Sequence, residues 1–277
     1  MSMRQVEEVM VAQAASDGEG VRLKRVFGGT NLARFDPFLM LDEFGSDQPH
    51  DYVGGFPAHP HRGFETVTYM LDGHMQHRDH MGNVGELRNG DVQWMTAGSG
   101  IIHSEMPQQK EGRMRGFQLW LNLAAKDKMQ KASYKDIPGS EIPEVTRDGV
   151  RLKLIAGAVE EFRGKVQRPV TEPILLDLRG DAGGFDTQFA IPEGHTVLVY
   201  VYEGQVSVGG TRVDKSRLAR LSRSGHLHLS AQGPAKALVI AGKPLGEPIV
   251  HYGPFVMNTR EEIEQALRDY REGRLTA

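Results

Sequence analysis

The sequence predicts an all-β protein with one short α-helix at its C-terminus. Its 277 residues include 33 glycines and 14 prolines, an excess of turn-forming residues that favours many short strands. Apolar residues alternate with a period of two in several segments, as they do in half-buried strands. Up to Leu123, no stretch has the longer period of an amphipathic helix.

Five segments of the first half are predicted to form strands. Each is apolar or alternating, and the pairs Asp72-Gly73 and Asn89-Gly90 mark turns between them. Regularly spaced strands of this kind are typical of a sandwich or a barrel. The predicted strands are Gly20–Phe27, Phe38–Leu41, Phe64–Leu71, Val92–Met95 and Phe117–Leu123.

A charged stretch, residues 124–149, separates these strands from a second set. It is rich in Lys, Asp, Glu and Pro, and we interpret it as a surface connector. A second β domain is expected after it. Its predicted strands are Val150–Ile155, Ile174–Leu178, Thr196–Tyr202, Gln205–Val208, Leu218–Leu221 and Ala237–Ala241.

The last segment has the pattern of a capped helix. Thr259 and Glu262 have the spacing of a capping box, and Gly273 suits the position just after the last turn. The apolar residues between them share one helical face, which favours packing against a β domain. These residues are Ile263, Ala266, Leu267 and Tyr270.

Composition excludes several classes of function. With 33 basic and 36 acidic side chains, the net charge of −3 argues against direct nucleic-acid binding. The absence of cysteine excludes disulfides, thiolate nucleophiles, iron–sulfur clusters and cysteine-ligated zinc. No export signal and no apolar run of about 20 residues is visible, so we expect a cytoplasmic protein without a membrane span.

Two short motifs could carry chemistry, His59-Pro60-His61 and His103-Ser104-Glu105. Residues i and i+2 of a strand point to the same face, so two neighbouring strands could present three imidazoles and one carboxylate together. Such a set suits a divalent transition metal and leaves positions open for a substrate, dioxygen or water.

A purely structural interpretation of these residues is also open. The first histidine pair lies in a proline-rich stretch, and His103 could be a buried histidine with ordinary hydrogen bonds. Two further apolar residues, Phe56 and Phe64, flank the pair and could form a wall for a flat substrate or simply pack. His74, His77 and His80 fit the rim of a hairpin better than a second metal cluster, and His77 could line the mouth of the site.

Longer motifs around these histidines resemble a known family. His59, His61 and Glu65, followed by Gly98 to His103, resemble the two motifs of the cupin superfamily. More specifically, FPAHPHRGFETVTYMLDG and GDVQWMTAGSGIIHSEMP are similar to the pirin family, as are DPFLMLDEF and GPFVMNT.

The resemblance implies a bicupin fold of two cupin-type β-barrels. The expected boundaries are an N-terminal cupin domain at 1–130, a C-terminal cupin domain at 131–258 and the helix at 259–277. It also implies one iron-type metal bound by His59, His61, His103 and Glu105. Glu65 occupies the usual carboxylate position of cupins, but the pirin pattern favours Glu105, so Glu65 is expected to lie behind the ligands.

The second domain is expected to lack metal ligands. Matching the turn glycines of the two halves places Ala190 and Pro192 where the first histidine pair stands. The same comparison places Leu238 and Ile240 where His103 and Glu105 stand. None of these side chains binds a metal.

Two functions follow as expectations from the resemblance. The first is a metal-dependent dioxygenase similar to quercetin 2,3-dioxygenase, with a flavonol-type aromatic substrate and dioxygen, in which Glu105 takes a substrate proton. The second is a non-enzymatic regulator that senses iron or redox state through a protein partner. The expected cofactor is one divalent transition metal, Fe(II) first, with Mn, Ni, Cu or Zn also compatible with the ligands.

Overall fold

The structure is a computed structural model that describes residues 2–29 and 34–277. Short antiparallel strands dominate it, and one α-helix, α1 (Arg260–Arg271), follows them. The first thirteen strands are β1 (Val6–Val11), β2 (Gln13–Asp17), β3 (Val21–Phe27), β4 (Phe38–Ser46), β5 (Phe56–His61), β6 (Phe64–Asp72), β7 (Met75–Asp79), β8 (Val84–Leu87), β9 (Val92–Thr96), β10 (Ile101–Pro107), β11 (Met114–Asn122), β12 (Ser133–Ile137) and β13 (Glu144–Arg147).

The second half of the chain supplies the other strands. They are β14 (Val150–Ala156), β15 (Ala158–Val159), β16 (Phe162–Arg163), β17 (Ile174–Gly180), β18 (Phe185–Phe189), β19 (Thr196–Glu203), β20 (Gln205–Val208), β21 (Thr211–Asp214), β22 (Arg217–Leu221), β23 (Leu227–Ala231), β24 (Ala235–Gly242), β25 (Val250–Tyr252) and β26 (Phe255–Met257). Short 3₁₀ helices occur at Pro49–Asp51, Ala125–Asp127 and Gly139–Glu141. The predicted all-β class with one C-terminal helix is confirmed.

The chain divides into two compact units. The histidine unit comprises Gln13–Arg34, Phe38–Ser140 and Gly246–Ala277, and the companion unit comprises Met1–Ala12, Phe35–Pro37 and Glu141–Leu245. This division differs from the expected boundaries at both ends of the chain. Strand β1 pairs with β22 of the companion unit, and α1 packs within the histidine unit.

Each unit is built from a seven-stranded and a four-stranded sheet. In the histidine unit the strand orders are β12-β9-β6-β11-β4-β3-β2 and β5-β10-β7-β8. In the companion unit they are β1-β22-β19-β24-β17-β14-β13 and β18-β23-β20-β21. Every strand of these two sheets in one unit therefore has a counterpart at the same place in the other, and the pairs β15-β16 and β25-β26 form separate two-stranded sheets.

The stretch predicted to be a surface connector contains two strands. Strand β12 pairs with β9 and strand β13 pairs with β14, so each continues a seven-stranded sheet. Both lie at sheet edges, where charged side chains face water. Charged edge strands and loops have similar compositions, so the sequence did not distinguish them. The prediction of a surface connector over 124–149 was therefore wrong for β12 and β13.

The helix forms as predicted. The Thr259 side chain accepts a hydrogen bond from the Glu262 backbone N–H, and the Glu262 carboxylate accepts one from the Thr259 N–H. Ile263 and Ala266 are buried against Phe255, Met257 and Leu275, whereas Tyr270 is 42% exposed at the edge of this contact. No helix in the described part of the chain has the length and apolar character needed to cross a membrane.

Candidate metal centre

Three histidines of the histidine unit converge on one point. His59 and His61 lie in β5 and His103 lies in β10, with His59 directly opposite His103 in the pairing of the two strands. One ligand nitrogen from each of the three lies within 4.8 Å of the others. Among the described residues, this is the one group of three or more candidate ligands that could hold a metal ion.

The local sequence explains how β5 presents its two histidines. It is an edge strand of the four-stranded sheet, so one of its sides has no neighbouring strand to bond. An edge strand of this kind tolerates Pro57 and Pro60, which have no backbone N–H to donate. The chain then turns at Gly63, whose φ is +92°. A Cβ there would collide with the Val256 carbonyl oxygen, so the turn after His61 requires glycine.

Burial holds the imidazoles of His61 and His103 in the neutral form that a metal requires. Burial lowers the pKa of His61 well below its usual value, and the nearby His59 lowers it further against a smaller opposing effect of the Pro254 carbonyl. Burial likewise lowers the pKa of His103, with contributions from the other two cluster histidines and His77. At neutral pH both rings therefore carry one lone pair.

Hydrogen bonding orients the rings. The Nδ1 of His59 lies 2.7 Å from the Pro57 carbonyl oxygen, which can only accept, so Nδ1 carries the proton and Nε2 keeps the lone pair. The His103 Nε2 is buried and has no hydrogen-bond partner in the structure. A buried polar atom left without a partner costs about 1–3 kcal/mol, so this nitrogen fits a ligand that the protein itself does not supply.

Glu105 is buried near the cluster but is not part of it. Its carboxylate does not belong to the group of atoms within 4.8 Å of one another. Instead its Oε1 accepts hydrogen bonds from the Thr68 hydroxyl at 3.2 Å and the Gln118 amide at 3.0 Å. The structure thus brings together three of the four predicted ligands and holds the fourth by two neighbouring side chains.

Glu65 faces away from the histidines. Its Oε1 accepts a hydrogen bond of 2.7 Å from the Thr96 hydroxyl. Along β6, Glu65 and Thr68 point to opposite faces, and it is Thr68 that contacts Glu105. The structure therefore does not bring Glu65 behind the ligands, because the strand's alternation turns it to the other side of the sheet.

His77 lies behind His103 instead of at the mouth of the site. It is fully buried in β7, next to β10 in the middle of the four-stranded sheet. Its Nε2 lies 2.8 Å from the His103 Nδ1. The other histidines of that hairpin have separate partners: His74 pairs with Glu86, and the His80 Nδ1 accepts from the Ile102 N–H.

A cavity of about 580 Å³ lies beside the cluster and exposes His59 and His61 to it. One part of its wall is apolar and another is charged. Phe56 lines the cavity as expected, whereas Phe64 packs behind it, 5.1 Å from the His61 ring and 4.3 Å from the Trp120 ring. The other lining side chains include Met40, Phe44, Trp120, Gln118, Arg25, Asp42 and His251.

Gln118 and Trp120 were not predicted as site residues from the sequence. Phe117, Leu119 and Leu121 alternate along β11 and mark one face of the strand as apolar. The residues between them point to the opposite face, which turns out to be the cavity side. The available signal was the pair Gln118 and Trp120, a polar and an aromatic residue two positions apart. They lie on the less apolar face of a buried strand, which is typical of a strand that lines a site.

Comparison with known proteins adds a family to this geometry. The pirin family model matches residues 20–121, and the model of the pirin C-terminal cupin domain matches residues 175–276. A Pseudomonas aeruginosa protein provisionally named quercetin 2,3-dioxygenase is 58% identical, over 98% of this chain and 97% of that protein. Human pirin is 39% identical, over 99% of this chain and 94% of its own length.

A solved structure has the same architecture throughout. The crystal structure of quercetin 2,3-dioxygenase from Acinetobacter baumannii aligns with a TM-score of 0.92 and 35% sequence identity. The alignment covers 100% of this chain and 99% of that one. Both β units therefore have their counterparts in that protein.

Proposed function

The chain belongs to the pirin family and has two cupin-type domains, as its motifs predicted, and from that premise we propose that it is a metal-dependent dioxygenase acting on flavonol-type aromatic substrates. The observation that supports this most strongly is the convergence of His59, His61 and His103 at the wall of a cavity of about 580 Å³. A cavity of that volume lies within the range of small-molecule sites.

The proposed ligands of the metal are His59, His61 and His103, with Glu105 as the fourth. Neutral imidazoles and one carboxylate suit a divalent transition metal, and the buried, unpartnered His103 Nε2 fits that role. Fe(II) is our first choice of metal, although the same donors also suit Mn, Ni, Cu and Zn. A metal bound there would supply a Lewis-acid position for a substrate hydroxyl and an electron-transfer partner for dioxygen.

The remaining roles fall to residues of the chain itself. Phe56, Met40 and Trp120 form an apolar wall against which a flat aromatic ring can pack. Glu105, held by Thr68 and Gln118, is the carboxylate available to accept the proton of a substrate hydroxyl. Gln118 also lines the cavity, so it connects the substrate space to that carboxylate.

The test combines metal analysis with turnover. Purified wild-type protein, a His59→Ala/His61→Ala variant and a His226→Ala/His228→Ala variant are compared by elemental analysis and by loss of the visible absorbance of quercetin. The second pair has the same i, i+2 spacing in the companion unit and serves as the control. We expect about one metal ion per chain and turnover in the wild type and the control, and neither in the cluster variant.

Other outcomes contradict separate parts of the proposal. Metal bound without turnover would overturn the dioxygenase assignment and favour the iron- or redox-sensing regulator that acts through a protein partner. Protein without metal that still consumes quercetin would overturn the role of the cluster. The cytoplasmic location remains a prediction from the sequence.

A further inference from the structure

The contact between His77 and His103 poses a question of proton placement. The His77 Nε2 and the His103 Nδ1 are 2.8 Å apart, with both side chains buried. Strands β7 and β10 are neighbours in the sheet, and His77 lies directly opposite Glu105 in their pairing. The pairing of the two strands therefore places both rings on the same face of the sheet.

A single proton lies between these two nitrogens. The nitrogen that carries it determines whether the His103 Nε2 has a lone pair for a metal. If the His77 Nε2 donates, the neutral His103 carries its own proton on Nε2 and has no lone pair for the cluster. If the His103 Nδ1 donates, its Nε2 carries the lone pair that a ligand needs. In either case each ring holds one proton, so the two arrangements differ only in where the protons lie.

Both members of the pair are buried, and burial favours the neutral form of an imidazole. Two neutral rings whose nitrogens lie 2.8 Å apart form a hydrogen bond when one nitrogen donates and the other accepts. The contact between the His77 Nε2 and the His103 Nδ1 therefore controls the tautomer of both rings.

We propose that His77 is a positioning residue that selects the metal-binding tautomer of His103, by accepting a hydrogen bond from its Nδ1–H at Nε2. In that arrangement the His77 proton is on Nδ1, an atom that is buried without a hydrogen-bond partner in the structure. The pair therefore leaves one donor of His77 unsatisfied in order to direct the lone pair of His103 to the cluster. This inference rests on the proposed metal site.

Substitutions at His77 separate this role from packing. Phe retains a ring of similar size without an acceptor, whereas Gln retains an acceptor at about the reach of Nε2. His74→Gln, at a partly exposed histidine bonded to Glu86, is the matched control. Each chelator-treated protein is titrated with Co(II), and the dissociation constant is read from the visible ligand-field absorption, independently of catalytic activity.

We expect His77→Phe to weaken Co(II) binding about 10- to 100-fold, which is typical of losing a hydrogen-bond partner of a metal ligand. His77→Gln is expected to recover most of the affinity, and His74→Gln to match the wild type. Wild-type affinity in His77→Phe would overturn the positioning role. If the wild type itself binds no Co(II), the proposed metal site fails, and that result is distinct from a failure of His77.

A measurement on the unaltered protein covers the case in which His77→Phe does not fold. Long-range ¹H–¹⁵N spectra of the Zn(II)-loaded wild type report which ring nitrogens carry protons. We expect protons on the Nδ1 of both His77 and His103. A proton on the His77 Nε2 would overturn the proposal.

Discussion

The two units share a sheet plan but differ in what faces the interior of their four-stranded sheets. In the histidine unit, His59 opposes His103 and Phe56 opposes Glu105 across β5 and β10. At the same place in the companion unit, Thr187 opposes Leu229 and Phe185 opposes Ala231 across β18 and β23.

Leu227 and Leu229 are completely buried, and they belong to one continuous apolar core with the valines of β19 and β20. A scaffold of this kind therefore tolerates either an apolar core or a set of polar ligands at the same positions. The two units therefore differ in a few side chains at these positions. Four predictions test the roles of these side chains and of the residues around them.

The largest effect is expected at the carboxylate that the companion unit replaces with alanine. Glu105→Gln removes the proposed proton acceptor while keeping a side chain that can accept from Thr68 and Gln118. We expect turnover of quercetin to fall at least about 100-fold, as for loss of a general base. Glu65→Gln, on the opposite face of β6, is the control and should leave turnover nearly unchanged. The reverse ranking of the two variants would show that Glu65 is the functional carboxylate.

A second prediction concerns Trp120, which forms part of the apolar wall of the cavity in the histidine unit. Trp120 packs against Phe64 and lies 5.3 Å from the His61 ring. We expect Trp120→Ala to destabilise the protein by about 3 kcal/mol and to raise the KM for quercetin. Metal content, measured in parallel, should stay near one ion per chain. A KM equal to that of the wild type would show that Trp120 does not contact the substrate.

The attachment of α1 to the histidine unit gives a third prediction. The buried Arg62, next to His61 in the chain, donates from Nη1 to the Asp269 Oδ2 at 2.7 Å, and this contact lowers the pKa of Asp269. Asp269→Asn removes the charge that pairs with Arg62. We expect a loss of about 2 kcal/mol in urea unfolding, less than for a fully buried pair because Asp269 is partly exposed. Thr259→Ala, which removes only the helix cap, should cost less. An Asp269→Asn variant as stable as the wild type would mean that the ion pair contributes nothing.

The fourth prediction is the pH dependence of the metal-free protein. Because the pKa values of His61 and His103 are lowered in the folded state, the unfolded chain binds more protons as the pH falls below about 6.5. The free energy of unfolding should therefore keep its full value above that pH and decrease on acidification. The decrease should be at most about 1.4 kcal/mol per pH unit for each histidine. His103→Leu should make the decline shallower. Identical slopes in the two proteins would contradict the burial effect.

Much of the site was predictable from the sequence. Strand alternation predicted that His59 and His61 share a face, and the pairing of His59 with His103 in the structure brings them to one point. The capping box of α1 was equally readable, because it depends on residues three apart. Both signals are local, so no knowledge of the sheet order was needed.

The positions that depend on sheet order were harder to predict. Matching turn glycines placed Leu238 and Ile240 where His103 and Glu105 stand, but these residues lie in β24, the counterpart of β11. The strand in the place of β10 is β23, and its buried residues are Leu227 and Leu229. Likewise, the residue behind His103 was not evident until β7 and β10 were known to be neighbours.

The central claim is that the histidine cluster of one unit binds the metal. Its most direct test is a crystal structure of the metal-loaded protein, with anomalous diffraction recorded at the absorption edge of the bound metal. The account predicts one peak among His59, His61 and His103, with a Glu105 oxygen about 2.0–2.2 Å from it. A peak elsewhere, or none at the cluster in protein that elemental analysis shows to contain metal, would contradict it.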